Sequence, residues 1–171
     1  KKINIKIFST PFSTESVDFL EKLKCKVYKI SSFEMNDVNL IKKVAQTGKP
    51  LIISTGLSNI NEIQYTLKIA RKYGAKDITL LYCVSKYPSK SLDFNLDKIN
   101  LYKKKFKCPV GLSDHSIGSL VPLIAISKGA ELIEKHVCLD SIKTVDSKFS
   151  LKSSDIKNFV KKLHECYKIC F

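Results

Sequence analysis

Two histidines stand at matching positions after short apolar runs of the sequence. Residues 109–115 read Pro-Val-Gly-Leu-Ser-Asp-His, and residues 132–136 read Leu-Ile-Glu-Lys-His. Imidazole nitrogens bind borderline metals well, so His115 and His136 at the ends of successive strands could share one divalent metal. Two protein ligands would leave coordination positions open for water or substrate. Either histidine alone could instead be a hydrogen-bonded core residue, but their matched positions favour the metal.

Hydroxyl side chains follow the other apolar runs in the same way, and they suit an anionic ligand. These hydroxyls belong to Thr10, Ser32, Ser54 and Ser113. Lys29 lies inside a predicted strand, where an amine is costly unless it points into a polar mouth and pairs with an anion. A single Ser or Thr at a strand end more often caps a helix, but four of them favour a phosphate or carboxylate site.

Two further polar residues allow more than one interpretation. Glu34 could be a general base, could orient a sugar hydroxyl, or could be a solvated carboxylate at a helix start. Asp114 could be an outer partner of the metal ligands or a turn residue, and the sequence does not separate these. Ser85 and Tyr87 lie just beyond the fourth apolar run, and His164 is expected at the surface of the last helix.

The hydrophobic pattern predicts six strands, each followed by a helix. The predicted strands cover residues 3–9, 25–31, 51–54, 77–84, 108–113 and 130–136. Capping side chains are expected before three of the helices, from Ser13 or Thr14, from Asn36 or Asp37, and from Ser153 or Ser154. The strands are apolar almost throughout, as strands covered on both faces should be, so the chain is predicted to be α/β with a parallel sheet.

Two α/β architectures compete for this pattern. A doubly wound open sheet would place its site at one switch point, with one or two strands contributing. A barrel places polar residues at the carboxyl end of nearly every strand, and all six predicted strands have them. The pattern therefore favours a (β/α)8 TIM barrel, of which residues 1–171 would form six of the eight βα units in one partial barrel domain. The missing pair is expected before Lys1.

Composition limits the classes of function. The chain has 171 residues, 44% of them hydrophobic, which is ordinary for a globular domain. The net charge of +14 invites a nucleic-acid interpretation, but Arg71 is the only arginine, whereas nucleic-acid surfaces usually use arginine for bidentate contacts. Nucleic acid is therefore not an expected partner. No apolar run could span a bilayer and no secretory signal precedes the first strand, so a membrane is not an expected partner either.

The six cysteines favour a reduced protein. None forms a Cys-x-x-Cys pair, and their spacings fit no zinc ribbon. Several lie within apolar runs, where a free cysteine behaves as a small hydrophobe. A cytoplasmic location is therefore expected.

Seven short motifs together resemble the sialic acid synthase family. They are Phe-Ser-Thr-Pro-Phe at 8–12, Tyr-Lys-Ile-Ser-Ser-Phe-Glu at 28–34, Thr-Gly-Lys-Pro at 47–50, Ile-Ser-Thr-Gly at 53–56, Ser-Lys-Tyr-Pro at 85–88, Gly-Leu-Ser-Asp-His at 111–115 and Glu-Lys-His at 134–136. The resemblance runs in order over essentially the whole chain. It implies a barrel enzyme that condenses phosphoenolpyruvate with an N-acetylated sugar aldehyde, giving a nonulosonic acid and phosphate.

The resemblance also implies roles for individual residues. Those expected to hold the phosphate of phosphoenolpyruvate are Thr10, Lys29, Ser32, Ser54 and Ser113. Ser85 and Tyr87 would meet its carboxylate or the sugar, and Glu34 and Asp146 would contact the sugar. His115 and His136 would bind manganese, magnesium or cobalt. The catalytic residues implied are Lys29, Glu34, Tyr87 and Asp146.

One loop points to a subfamily. Residues 145–151 read Val-Asp-Ser-Lys-Phe-Ser-Leu, which resembles pseudaminic acid synthases, whereas neuraminic and legionaminic acid synthases more often read Pro-Asp-His-Lys-Ala-Ser-Leu. The acceptor implied is a 2,4-diacetamido-2,4,6-trideoxy altrose sugar. Synthesis of N-acetylneuraminate or of legionaminate would also be compatible with the family.

The chain also departs from the family. The first two strands and the C-terminal antifreeze-like domain of the family are not in these 171 residues, and a homodimer is expected for the full-length protein. A fragment of this kind is expected to be inactive or poorly folded alone, because an open barrel exposes strand edges. A different phosphoenolpyruvate or aldol barrel enzyme would also fit the pattern of strand ends, and so would a non-catalytic or nucleic-acid-binding remnant.

Overall fold

The computed structural model describes residues 7–171, in which helices alternate with strands. The helices are α1 (Thr14–Lys22), α2 (Val38–Ala45), α3 (Ile60–Lys72), α4 (Asp97–Phe106), α5 (Leu120–Ser127) and α6 (Ile156–Cys170). The strands are β1 (Tyr28–Ile30), β2 (Leu51–Ser54), β3 (Ile78–Cys83), β4 (Val110–Asp114), β5 (Ile133–Lys135), β6 (Val137–Cys138) and β7 (Leu151–Lys152). Two compact units divide the chain: unit 1 is Lys1–Leu80 and unit 2 is Leu81–Phe171.

Strands β1 to β5 are hydrogen-bonded in chain order, and β3 contains the boundary between the units. The β1–β2 pair in unit 1 is parallel, with Tyr28 opposite Leu51. The β4–β5 pair in unit 2 is also parallel, with Leu112 opposite Ile133. The expected α/β class with a parallel sheet is therefore confirmed.

Local signals place the helices of unit 1 where the sequence predicts them. The Ser13 hydroxyl accepts from the Ser16 amide at the start of α1, and the Asp37 carboxylate accepts from the Asn39 and Leu40 amides at the start of α2. Asn59 caps α3 within a capping box that uses Glu62. The core of this unit contains Val17, Tyr28, Ile30, Leu40, Ile41, Val44, Leu51, Ile53, Ile63 and Leu67.

Unit 2 contains the second apolar core and a small additional sheet. Its core includes Leu81, Ile99, Val110, Leu112, Val121, Ala125 and Phe159. Strands β6 and β7 pair in parallel beyond the end of β5, with Val137 opposite Leu151. This two-stranded sheet is absent from the sequence prediction, because strands of two residues carry no hydrophobic period.

The approach of β4 to β5 explains one glycine of unit 2. A Cβ added at Gly111 would lie 2.3 Å from the carbonyl oxygen of Leu132 and 2.8 Å from Cδ2 of Leu81. Only glycine therefore allows the two backbones to come this close. The close approach holds the ends of β4 and β5 side by side.

One predicted strand falls partly outside the described residues, and one predicted helix cap needs correction. The first predicted strand includes residues 3–6, which lie outside the described residues, and within 7–171 only Ser9 is seen to pair, in an isolated bridge to Tyr28. The main sheet of the described residues has five strands, which correspond to the second to sixth predicted strands, and the first predicted strand stays a prediction. The cap predicted for α6 was wrong, because the hydroxyls of Ser153 and Ser154 donate to Asp140 instead, and within residues 7–171 no side chain caps the start of α6 after Asp155.

Two other expectations can be compared with the described residues. All six cysteines are free thiols. Within residues 7–171, no helix has both the length and the apolar composition needed to cross a bilayer.

Candidate functional site

The carboxyl ends of β4 and β5 bring the two predicted metal ligands together. The ring centroids of His115 and His136 are 5.3 Å apart. Both histidines are the first residue after a strand, and the two strands pair in parallel with Asp114 opposite Lys135. Because paired parallel strands end at the same edge, the register places the imidazoles next to each other.

Each imidazole has its Nδ1 atom engaged, which leaves Nε2 as the ligand atom. His115 Nδ1 lies 3.1 Å from the carbonyl oxygen of Val84, which can only accept, so Nδ1 carries the proton. His136 Nδ1 lies 3.4 Å from Oδ2 of Asp146. Metal-binding histidines typically donate their second nitrogen to a carbonyl or carboxylate, as His115 does to the Val84 carbonyl. The donor set thus fits a divalent metal held by two Nε2 atoms.

Burial favours the neutral, ligating form of His115. The side chain is 4% exposed, and this burial lowers the pKa of His115, with the neighbouring His136 acting in the same direction. The hydrogen bond to the Val84 carbonyl acts against the shift. A neutral imidazole is the form that binds a metal.

An aromatic wall encloses the imidazole pair. The Tyr87 ring lies 4.2 Å from His115 and 5.7 Å from Phe149, and the Phe149 ring lies 5.1 Å from His136, all measured between centroids. Phe149 is buried, whereas Tyr87 is 50% exposed. Burial raises the pKa of the Tyr87 hydroxyl, and nearby Cys83 and Glu134 add to the shift. Tyr87 is therefore a neutral hydrogen-bonding group at the edge of the site.

Glu134 is a site residue that the sequence prediction missed. Its carboxylate accepts a 2.6 Å hydrogen bond from the Ser113 hydroxyl, which is itself buried. Ser113 and Glu134 are direct partners across β4 and β5. Since side chains in a strand alternate between faces, Glu134 lies on the same face as His136, two residues later. That spacing was the signal available in the sequence.

Asp114 forms a buried ion pair with Lys135. Its Oδ2 lies 2.5 Å from Nζ of Lys135, and the two side chains are 0% and 4% exposed. Asp114 also accepts from the amide and the hydroxyl of Ser116. Asp114 is both a turn residue and half of a buried ion pair beneath the histidines.

The remaining predicted residue of unit 2 lies at the end of β3. Ser85 Oγ is 3.7 Å from the sulfur of Cys83, and that sulfur is 3.9 Å from Nδ1 of His115. Ser85 is thus placed near the imidazole pair. His164 is exposed on α6, as expected.

The candidate phosphate ligands of unit 1 lie at the ends of its strands. The Ser32 hydroxyl accepts a 3.0 Å hydrogen bond from the Gly56 amide, which joins the loops after β1 and β2. Ser54 is 2% exposed, and its hydroxyl has no hydrogen-bond partner among residues 7–171. Burying a hydroxyl without a hydrogen-bond partner costs free energy. Such a hydroxyl is therefore a candidate to hydrogen-bond a ligand.

The other three predicted residues of unit 1 are Glu34, Lys29 and Thr10. Glu34 accepts a hydrogen bond from the Ser31 hydroxyl and lies a few residues before the start of α2. Lys29 lies in β1 and is half-buried. Thr10 is half-buried and follows the Ser9 bridge.

The described residues provide few candidate metal ligands at this site. Among residues 7–171, no group of three or more His, Cys, Asp and Glu side chains is placed to hold a metal ion. His115 and His136 could therefore supply two ligands to a metal, and any further ones would come from water, substrate or residues outside the described range.

Comparison with known proteins gives consistent results. The sequence model of the NeuB family matches residues 1–170. A pseudaminic acid synthase of Helicobacter pylori is 44% identical over 166 residues, which cover 96% of this chain and 49% of that protein. An N,N'-diacetyllegionaminic acid synthase of Campylobacter jejuni is 40% identical over 171 residues, which cover 98% of this chain and 51% of that protein.

A solved structure matches as well. The crystal structure of an N-acetylneuraminic acid (sialic acid) synthetase from Leptospira borgpetersenii, in complex with citrate, superposes with a TM-score of 0.93 at 34% identity. The match covers 97% of this chain and 58% of that one. The chain spans about half the length of the curated relatives it matches.

Proposed function

The chain belongs to the NeuB family, and from this membership we propose that it is part of an enzyme that makes a nonulosonic acid. The proposed reaction condenses phosphoenolpyruvate with the open-chain aldehyde of an N-acetylated amino sugar. C3 of phosphoenolpyruvate bonds to the aldehyde carbon, water adds at C2, and phosphate leaves by C–O cleavage. The relatives named as pseudaminic, legionaminic and neuraminic acid synthases support this class of product.

The imidazole pair is the observation that carries the proposal. His115 and His136 are 5.3 Å apart between ring centroids, and each has its Nδ1 engaged by a carbonyl or carboxylate oxygen. We propose that manganese, magnesium or cobalt binds to their Nε2 atoms. A divalent metal supplies polarisation of the aldehyde oxygen, which makes the carbonyl carbon a better electrophile.

The chain's own residues would bind the two substrates. In unit 1, the proposed phosphate ligands are Thr10, Lys29, Ser32 and Ser54, among which the buried Ser54 hydroxyl is the best supported. Glu34 is proposed to orient a sugar hydroxyl. These roles come from the family resemblance, and the burial and hydrogen bonding of the side chains are compatible with them.

In unit 2, the groups around the histidines are proposed to hold the sugar and the carboxylate. Tyr87 is half-exposed beside His115, and Ser85 follows the same strand. Asp146 is half-exposed next to His136, so it can hold the imidazole and still reach a sugar hydroxyl. Ser113 is proposed as a further phosphate ligand, oriented by its hydrogen bond to Glu134.

Pseudaminic acid is the product that we propose. The loop at residues 145–151 carries the subfamily motif, and its Phe149 packs on His136, so that the motif forms part of the site. The identity of 44% to a pseudaminic acid synthase, against 40% to a legionaminic acid synthase, points the same way. N-acetylneuraminate or legionaminate would be the product if the acceptor differs.

The same family membership supports a proposal for the larger assembly. We propose that the parallel sheet is part of a (β/α)8 barrel and that the protein acts as a homodimer in the cytoplasm. If the assay described below shows no turnover, the protein is instead a different phosphoenolpyruvate enzyme of the same barrel class or an inactive fragment.

The test is phosphate release by the protein as its gene encodes it. Phosphoenolpyruvate is supplied with the trideoxy altrose sugar, with the legionaminate acceptor or with N-acetylmannosamine, and the product is identified by mass spectrometry. We expect turnover with the altrose sugar, loss of turnover in EDTA, and recovery with Mn²⁺, Mg²⁺ or Co²⁺. No turnover with any of the three sugars would refute the proposal.

Matched histidine variants make the assay specific. His136→Gln should abolish metal-dependent turnover, because it removes one of two protein ligands. His164→Gln changes an exposed histidine of the same unit and should retain wild-type turnover. Equal turnover in both variants would exclude the proposed metal site.

A further inference from the structure

The ion pair between Asp114 and Lys135 lies directly between the two histidine-bearing strand ends. These residues are partners in the β4–β5 register, and their charged atoms are 2.5 Å apart. Their side chains are 0% and 4% exposed, so the pair is screened from water on all sides. His115 follows Asp114 and His136 follows Lys135 in the chain.

Both charges are satisfied within this small network. The ammonium of Lys135 also donates to the carbonyl oxygen of Ser116 at 2.7 Å. The other oxygen of Asp114 accepts from the Ser116 amide at 2.9 Å and from the Ser116 hydroxyl at 2.7 Å. The network therefore fixes the first turn after β4 as well as the pairing of β4 with β5.

Alternation along the strands places this network behind the site. Ser113 and Glu134 form the cross-strand contact one residue before the ion pair, and the two imidazoles meet one residue after it. Side chains on neighbouring residues of a strand point to opposite faces. The ion pair thus holds the strands from one face while the ligands project from the other.

We propose that Asp114 and Lys135 are positioning residues that set the distance between His115 and His136 and hence the affinity for the metal. This inference rests on the proposed function. A buried ion pair is weak support for stability, because its desolvation cost offsets its attraction, but it specifies one arrangement. An apolar pair of similar volume would fill the space without fixing the register or the turn.

The test compares a double variant with a matched surface variant. Asp114→Leu with Lys135→Met removes both charges and keeps an apolar volume. Asp97→Leu with Lys128→Met removes an exposed ion pair of the same unit, whose atoms are 2.7 Å apart. Circular dichroism and thermal unfolding would establish that both variants fold.

Metal affinity and ring geometry are the measured quantities. We expect the affinity for Co²⁺, measured by calorimetry, to fall about 10- to 100-fold in the buried-pair variant and to stay at the wild-type value in the surface variant. In the metal-free protein, the NOE between the ring protons of His115 and His136 should weaken only in the buried-pair variant. The value of kcat should fall more than KM for phosphoenolpyruvate changes.

Wild-type Co²⁺ affinity and an unchanged NOE in the buried-pair variant would overturn the inference. If that variant does not fold, Asp114→Glu keeps both charges and shifts one by a methylene; unchanged affinity and NOE there would overturn it equally. A wild-type protein that shows the NOE but forms no nonulosonic acid would refute the proposed function alone, because the ring geometry is measured without metal or substrate.

Discussion

The ring of Phe149 packs edge-on against His136, with 5.1 Å between the ring centroids and 67° between the ring planes. The same ring lies 5.7 Å from Tyr87 and is 4% exposed. Phe149 follows a short 3₁₀ turn, Val145–Lys148, that contains Asp146, the partner of His136 Nδ1. One loop therefore holds His136 from two sides, by an apolar contact and by a carboxylate.

Phe149→Ala should destabilise the protein by about 3–5 kcal/mol, because removing a buried phenylalanine leaves a cavity. It should also weaken Co²⁺ binding, since His136 loses a packing partner. Chemical denaturation and calorimetry would measure the two effects. Phe33→Ala is the control, because Phe33 is 69% exposed and its loss should change stability by less than about 0.5 kcal/mol. Equal stabilities of the two variants would contradict the buried role of Phe149.

Lys135→Met alone should lower the free energy of unfolding by about 3–5 kcal/mol, because it leaves the buried carboxylate of Asp114 without its counter-charge. Replacing both residues by apolar ones should restore most of this loss. Urea denaturation of the two variants measures the difference. Lys128→Met, which breaks an exposed ion pair, should cost no more than about 1 kcal/mol. A single variant as stable as the double one would show that the ion pair is not screened from water.

Asp37→Ala should cost about 1 kcal/mol of stability, because it removes the side chain that accepts from two amides at the start of α2. Asn36→Ala provides the control, since this neighbouring exposed residue precedes the cap position. Thermal or chemical unfolding compares the two. The sequence left both residues open as caps, so this pair of variants tests the choice that the structure makes. A larger loss from Asn36→Ala would reverse the assignment.

Glu21 should make unit 1 less stable in acid. Lys49 and Tyr28 both donate to its carboxylate at 2.5 Å, and these contacts lower the pKa of Glu21 from its ordinary value. Because the folded-state pKa is the lower one, the stabilisation is complete above the unfolded-state pKa and is lost as the pH falls through the folded-state pKa. The effect should be small, since the side chain of Glu21 is 39% exposed.

Urea unfolding of the wild type and of Glu21→Gln at pH values from about 6 to 3 measures this contribution. The difference in stability between them should shrink towards low pH. Lys49→Met should show the same trend in weaker form, because Tyr28 still donates to the carboxylate. A difference that stays constant with pH would rule out Glu21 as its source.

Local signals explain which elements the sequence could predict. Strand β2 was placed at its observed bounds, because a buried apolar run sits between Pro50 and the Thr55-Gly56 turn. Helix α3 has equally clear signals at its ends, since Asn59 begins it and Gly74, with a φ of +111°, follows its end. The resemblance to sialic acid synthases, which the motifs carried, is confirmed by the family match.

Contacts between strands explain what the sequence could not provide. The neighbouring positions of His115 and His136 were predicted from matched strand ends, and the structure confirms that they are adjacent. The roles of Glu134 and Lys135 depend on the β4–β5 register, which no local pattern specifies. Ser153 and Ser154 look like helix caps in sequence, but Asp140, distant in the chain, takes their hydroxyls.

Gly111, in β4, should tolerate no substitution. Its missing side chain is required by the nearby Leu132 carbonyl and not by a special backbone angle, so even alanine would collide. In a library that places all 20 amino acids at position 111 and is scored only for the abundance of the protein in cells, every residue other than glycine should be depleted. Selection at this position would therefore reflect how closely the backbones of two parallel strands must approach each other, before any chemistry of the protein is considered.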